Sequence, residues 1–183
     1  MAHFFLHGGF RGLAQPEAVW ADFLQAWMPV AGPVLLLPWA LPAKRAEAQR
    51  RMLVRRLKKL GHEVEVFVAT TPDEAKALWP NVRHVFAPGG ILLAPMVDGF
   101  AQLRGQVPLD GCRIAGYSAG VYGLSTWYYD SRRRQAKAGG GWLPIAVCCH
   151  YGLVRAGAEG CLHEKKLPVH LLADGQFVEI KNP

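Results

Sequence analysis

Apolar residues along the chain form short continuous runs that alternate with stretches of helical periodicity. The runs lie at residues 3–6, 34–37, 64–68, 83–87 and 113–116. Continuous apolar runs of this length, bounded by Gly and Pro, are typical of strands that are buried on both faces of a parallel sheet. The pattern therefore predicts five strands of a mostly parallel sheet.

The segments between these runs have the spacing and the end signals of helices. Pro16 stands at the start of one, and its large apolar residues recur on a single face. A strongly basic segment at 43–60 keeps its leucines on one face. The order Thr71-Pro72-Asp73-Glu74 is a capping box with proline at the first helical position. This alternation predicts a doubly wound α/β fold with helices on both faces of the sheet.

The last third of the chain has a weaker periodicity. Residues 143–149 form an apolar strand-like run, and two further runs at 169–172 and 176–180 flank Asp174-Gly175. Because Asp-Gly between two strand-like runs is a strong turn signal, we expect a C-terminal β hairpin. Since no linker or repeat interrupts the chain, we expect a single domain over residues 1–183.

Composition narrows the classes of function. The 183 residues carry a formal net charge of +7, but the excess lies mainly in the segment 43–60 and in Arg132-Arg133-Arg134. No nucleic-acid motif accompanies the basic helix, so a solvated face is expected there and no nucleic-acid partner. No apolar run is long enough to span a membrane, and the four cysteines lack the spacing of a disulfide framework or a metal site. We expect a cytoplasmic protein with no cofactor, no metal and no membrane association.

The most informative stretch is Gly116-Tyr117-Ser118-Ala119-Gly120. It follows the predicted strand at 113–116, and residues 121–127 can continue it as a helix. Gly-x-Ser-x-Gly between a strand and a helix is typical of a nucleophile elbow, in which a strained turn exposes the serine hydroxyl. Ser118 is therefore the candidate nucleophile, and the Ala119 amide is left to face an oxyanion.

A serine nucleophile needs a base. Of the seven histidines, His150 is the best placed, because it directly follows the apolar run at 143–149. Sites in open α/β sheets assemble at the carboxyl ends of strands. His150 is therefore the candidate base.

Residues 114–120, together with 85–90 and 149–151, resemble the dipeptidase E and cyanophycinase family of serine peptidases. The resemblance implies the class I glutamine amidotransferase-like fold, nucleophilic attack by Ser118, and His150 as general base and then acid. It also implies an oxyanion hole from Gly89, Gly90 and Ala119. The late turn at Asp174 is similar to a family segment, so Asp174 is the first choice for the acid, followed by Glu164 and Asp130.

The resemblance further implies short, acidic peptides as substrates. The triplet Arg132, Arg133, Arg134 lies between the nucleophile and the base in sequence, where cations would attract an anionic substrate. Tyr117 and Ile91 are the other expected substrate contacts. The family typically has Asn-Thr and an aromatic residue after the Gly-Gly turn, whereas this chain has Ile91-Leu92-Leu93.

Two other functions fit parts of the pattern. An α/β-hydrolase-like esterase needs the order serine, acid, histidine, which Ser118, Asp130 and either His163 or His170 would supply. A catalytically silent binding or regulatory protein with the amidotransferase fold is favoured by Ile91.

Overall fold

The computed structural model describes residues 1–11, 16–153 and 157–182. Its strands are β1 (Ala2–His7), β2 (Val34–Leu36), β3 (Val66–Val68), β4 (His84–Ala87), β5 (Arg113–Tyr117), β6 (Ser125–Asp130), β7 (Gln135–Ala138), β8 (Leu143–Cys149), β9 (Val169–Leu172) and β10 (Phe177–Asn182). Its α-helices are α1 (Pro16–Trp27), α2 (Ala46–Lys59), α3 (Pro72–Leu78), α4 (Leu93–Leu103), α5 (Ala119–Leu124) and α6 (Ala158–His163).

The main sheet has six strands in the order β10-β1-β5-β4-β2-β3. Strands β1 to β5 are mutually parallel, and β10 pairs antiparallel with β1 at one edge. The five predicted parallel strands are confirmed, with ends that differ by one or two residues. Because β1, β5 and β4 are neighbours, the loops that follow them meet at one edge of the sheet.

Each face of the main sheet is covered. Helices α1 and α2 pack on one face, where Phe5 and Phe86 from the strands share one buried core with Phe23 and Leu57 from the helices. The opposite face packs against α3, α4, α5 and a second sheet. Strand residues alternate between the two cores because successive side chains of a strand point to opposite faces. The predicted doubly wound arrangement is therefore confirmed.

The second sheet has four strands in the order β7-β6-β8-β9, of which β6, β8 and β9 are parallel. It was not predicted, because residues 121–127 were expected to continue as one helix. The helix ends at Leu124, and Ser125 turns into an extended conformation that begins β6. The sequence that follows, Thr-Trp-Tyr-Tyr, is rich in residues that favour strands over helices.

The predicted C-terminal hairpin is wrong. The Asp174-Gly175 turn does form, since Gln176 N donates to Ala173 O, but β9 and β10 do not pair with each other. Strand β9 joins β8 in the second sheet, whereas β10 joins β1 in the main sheet. The turn therefore carries the chain from one sheet to the other, because each sheet offers a free strand edge with unpaired backbone groups.

The basic helix α2 is partly neutralised by carboxylates. Glu47 pairs with Arg50 at 2.9 Å, and Glu17 of α1 pairs with Arg56 at 2.7 Å. Within the described ranges, no helix has the length and apolar character needed to cross a bilayer.

Candidate active site

The candidate site lies where the two sheets meet. The loops after β1, β4 and β5 bring Gly8-Gly9, Gly89-Gly90 and Ser118 to the carboxyl edge of the main sheet. His150 follows β8, and Asp174 lies in the turn after β9. Since β8 and β9 are parallel neighbours, the two side chains arrive together from the second sheet.

Ser118 has the strained backbone expected of a nucleophile elbow. Its φ is 51° and its ψ is −111°, a conformation that costs of order 1–3 kcal/mol and persists only where the surroundings enforce it. Ser118 N donates to His7 O at 3.0 Å. A Cβ on Gly120 would lie 2.0 Å from Ala87 O, and one on Gly116 would lie 2.9 Å from the Gly120 carbonyl carbon. The tight turn therefore requires both glycines of the pentapeptide.

A hydrogen-bonded chain of three side chains begins at Ser118. Its Oγ lies 2.9 Å from His150 Nε2, and His150 Nδ1 lies 2.7 Å from Asp174 Oδ1. With the ring proton on Nδ1 donated to Asp174, the Nε2 lone pair faces the serine hydroxyl. The Asp174 side chain is 9% exposed, so this hydrogen bond is shielded from water. The arrangement can accept a proton from the serine as it attacks a carbonyl carbon.

The other two acids considered for this position lie elsewhere. Asp130 accepts hydrogen bonds from the Arg132 and Arg133 amides and from Lys137 Nζ at 3.0 Å. These partners hold the pKa of Asp130 below its usual value although burial opposes the shift. Glu164 is exposed, just after α6. Asp130 therefore stabilises the turn between β6 and β7, and of the three candidates Asp174 contacts His150.

The histidines that an α/β-hydrolase order would need are also remote from this chain of hydrogen bonds. His163 lies 3.7 Å from Glu159 on the exposed face of α6. His170 is half-buried within β9, and burial lowers its pKa. In the part of the chain that the structure describes, the imidazole that contacts Ser118 is that of His150.

The two glycines predicted as oxyanion donors lie in the same cleft as Ser118. A Cβ on Gly89 would lie 2.6 Å from the Tyr117 ring, and one on Gly90 would lie 2.0 Å from Ala40 O, so both positions require glycine. Helix α4 begins only at Leu93, because an irregular segment follows the two glycines. Among the described residues, the amides of Gly90 and Ala119 donate no hydrogen bond to the protein. They are available to a ligand.

Two clefts are lined by the Ser118–His150 pair. The first, of about 280 Å³, is lined by Phe10, Arg11, Gly89, Gly90, Ile91, Tyr117, Ser118 and His150. The second, of about 140 Å³, is lined by Arg11, Gly90, Ile91, Leu93, Ser118, Tyr122, Tyr129, Asp130, Ser131, Arg132 and His150. A larger apolar cavity of about 370 Å³ beside Trp39 contains none of the candidate catalytic side chains.

The predicted substrate contacts divide between these clefts. Ile91, which is 65% exposed, lines both, and Tyr117 lines the first, where burial raises the pKa of its phenol. Arg132 lines the second, whereas Arg133 and Arg134 line neither. Of the arginine triplet, Arg132 is therefore the member that lines a cleft beside Ser118.

Sequence reasoning missed the segment that follows β1. Arg11 lines both clefts, and its amide donates to Asp174 Oδ1 at 3.0 Å. The signal in the sequence was His7-Gly8-Gly9 directly after a buried strand, since a Gly-Gly pair there indicates a close approach of backbone to another part of the site.

Comparison with solved structures gives the same fold. A peptidase from an acI-B1 actinobacterium matches with a TM-score of 0.70 and 17% identity, over 99% of this chain and 84% of that one. A protein from Listeria monocytogenes EGD-e assigned as a peptidase E matches with a TM-score of 0.63 and 14% identity, over 98% of this chain and 94% of that one. No family model and no curated protein matches the chain. The chain therefore has the peptidase E-like fold that the resemblance implied.

Proposed function

We propose that the protein is a serine peptidase of the dipeptidase E-like type that hydrolyses short peptides through an acyl-enzyme on Ser118. The observation that carries the proposal is the continuous chain of hydrogen bonds from Ser118 through His150 to Asp174. The strained backbone of Ser118 and the peptidase E-like fold support the same conclusion. Structural strain of this kind clusters at active sites.

In the first half of the proposed reaction, Ser118 Oγ attacks the scissile carbonyl while its proton passes to His150 Nε2. The imidazolium that forms keeps its proton on Nδ1 and donates it in a hydrogen bond to Asp174, whose negative charge stabilises the imidazolium. The carbonyl oxygen becomes an oxyanion that accepts hydrogen bonds from the Gly90 and Ala119 amides, with Gly89 beside them. Removing one donor of this type from a hydrolase costs about 10²–10³ in rate.

The second half of the reaction returns the enzyme to its starting state. His150 gives its proton to the departing amine, the carbon–nitrogen bond breaks, and an ester on Ser118 remains. A water then loses a proton to His150 Nε2 as it attacks the ester, and the collapse of the second tetrahedral intermediate returns that proton to Ser118. No cofactor or metal ion takes part in this sequence.

The two clefts suggest how a short peptide would lie. Because Ser118 and His150 line both, the acyl part of a substrate would occupy one cleft and the leaving amine the other. Arg132 supplies an exposed cation at the second cleft, which favours substrates with a carboxylate on that side. Of the arginine triplet, Arg132 is thus the one proposed to favour acidic peptides, and Ile91 gives both clefts an apolar wall.

Labelling with a fluorophosphonate, read by intact mass, tests the nucleophile. We expect the wild type to gain one adduct and Ser118→Ala to gain none. Ser131→Ala is the matched control, because Ser131 is an exposed serine in the second cleft, and it should label like the wild type. A wild type that gains no adduct would overturn the proposed mechanism. It would favour a catalytically silent binding protein built on this fold, the alternative that Ile91 suggests.

Peptide hydrolysis tests the unit of three side chains. Ser118→Ala and His150→Ala should each lower kcat by several orders of magnitude. The double variant should lower kcat little further, because the two residues act together. Losses that multiply in the double variant would show that His150 is not the base.

Substrate preference is tested with Asp-X, Leu-X and Lys-X dipeptide amides. Arg132→Ala should lower kcat/KM for the Asp-X substrate selectively, and the effect should shrink as salt concentration rises. Arg133→Ala, a neighbouring arginine outside both clefts, is the control and should change little. Equal rates on all three substrates, or equal effects of the two variants, would remove Arg132 from substrate recognition.

A further inference from the structure

The segment from His7 to Arg11 contacts every member of the proposed catalytic unit. His7 O accepts a hydrogen bond from Ser118 N at 3.0 Å, and Gly8 O accepts one from His150 N at 3.2 Å. Gly9 O accepts from the Gly175 amide at 2.9 Å, next to Asp174. The Arg11 amide donates to Asp174 Oδ1. One short loop therefore joins the nucleophile of the main sheet to the base and acid of the second sheet.

The His7 side chain holds this loop in its conformation. Its ring is fully buried, and its Nδ1 accepts a hydrogen bond from Gly9 N at 3.0 Å. The ring stacks on Phe10 with centroids 4.0 Å apart, and Phe10 in turn stacks on Trp20. Among the described residues, Nε2 of His7 has no hydrogen-bond partner, so the bond to Gly9 is the ring's only polar contact with the protein.

The position of Gly9 decides how closely the loop approaches the imidazole. Gly9 has φ 143°, and a Cβ placed on it would lie 2.0 Å from His150 Cε1 and 2.5 Å from Asp174 Oδ1. The Gly9 backbone therefore forms the surface against which the His150–Asp174 pair rests. A small shift of Gly9 would change the distances within that pair, because close-packed groups transmit displacement directly.

We propose that His7 is a positioning residue for the catalytic unit. Its Nδ1 accepts a hydrogen bond from the Gly9 amide and so fixes the loop against which His150 and Asp174 rest. The inference rests on the proposed function for its catalytic consequence. Burial lowers the pKa of His7 to about 4, with Asp174 opposing the shift and His150 adding to it. The ring is therefore neutral near pH 7, which leaves the Nδ1 lone pair free to accept.

Amide side chains of two lengths separate this role from simple packing. In asparagine the carbonyl oxygen branches from Cγ, as Nδ1 does in histidine, whereas in glutamine it lies one atom further out, where Nε2 stands. In His7→Asn the side chain can still accept a hydrogen bond from the Gly9 amide, whereas in His7→Gln and His7→Phe it cannot. We expect the last two to lose about 10–100-fold in kcat with little change in KM, since a displacement near 1 Å can cost 10²-fold. His7→Asn should remain within a few-fold of the wild type.

Two readouts keep the test decisive. The first is the kcat and KM of the folded variants, together with the rate of fluorophosphonate labelling. The second is the proton NMR signal of the His150–Asp174 hydrogen bond, which His7→Gln should shift or broaden and His7→Asn should preserve. Equal behaviour of His7→Asn and His7→Gln in both readouts would overturn the inference. If the wild type is not labelled, the proposed function fails, but the NMR comparison still decides whether His7 positions the pair.

Discussion

Replacement of Gly9 by alanine would place a methyl group in the space that the His150 ring occupies. The new Cβ would lie 2.0 Å from His150 Cε1, whereas an ordinary contact needs at least 3.4 Å. The ring or the loop must therefore move by more than ~1 Å, since hydrogen bonds to Ser118 and Asp174 hold the ring on both sides. Ser118 and His150 would then separate beyond the present 2.9 Å.

The expected loss of activity follows from that displacement. A misplacement of about 1 Å of a catalytic group can cost ~10²-fold, so we expect Gly9→Ala to lower kcat by about that factor. The positive φ adds a stability cost of order 1–3 kcal/mol, which acts on the whole protein and not on the chemistry alone.

A second glycine separates the two effects. Gly105 also has a positive φ, of 72°, but no atom lies within 4 Å of a Cβ placed on it. Gly105→Ala should therefore lose stability and keep full activity, as measured by thermal unfolding and by the rate of fluorophosphonate labelling. If Gly9→Ala labels as fast as Gly105→Ala, the close packing of the loop against His150 does not govern reactivity.

Two further predictions concern stability. Burial lowers the pKa of His7 from 6.5 to about 4, so between these pH values the unfolded chain binds a proton that the folded protein does not. The free energy of unfolding should therefore fall as the pH drops from 6.5 to 4, by roughly 3 kcal/mol from this group. His7→Asn should flatten that slope in urea titrations at several pH values, and parallel curves would contradict the assignment. Thr71→Ala should cost about 1 kcal/mol, because the Thr71 hydroxyl accepts the Glu74 amide at the start of α3. Thr71→Ser should keep most of this stability, and both variants should keep the activity of the wild type.

Local patterns in the sequence determined the elements of the main sheet. The apolar runs set its parallel strands, and Thr71 caps α3 as expected, while the Glu74 carboxylate also accepts hydrogen bonds from the Thr70 amide and hydroxyl. Gly116 and Gly120 flank a strained Ser118, as Gly-x-Ser-x-Gly predicts. The strands, the helix cap and the turn at Ser118 could be predicted because periodicity, capping and tight turns depend on residues only a few positions apart.

Strand pairing depended on the tertiary structure. Ser125 starts a strand where a helix was expected, and the runs at both ends of the Asp174-Gly175 turn belong to different sheets. Residues that favour strands do not specify their partners, because pairing is decided by which edges remain open once the core has packed.

The assembly of the site was also decided in three dimensions. The contact of Asp174 with His150, and the position of Arg132 in a cleft beside Ser118, depend on the approach of segments far apart in sequence. The role of the loop at His7 depends on the same approach of two sheets. The sequence determined which side chains could react. Only the packing of the second sheet against the first decided which of them meet, because the distance between the two sheets is set by the whole core and not by any local pattern.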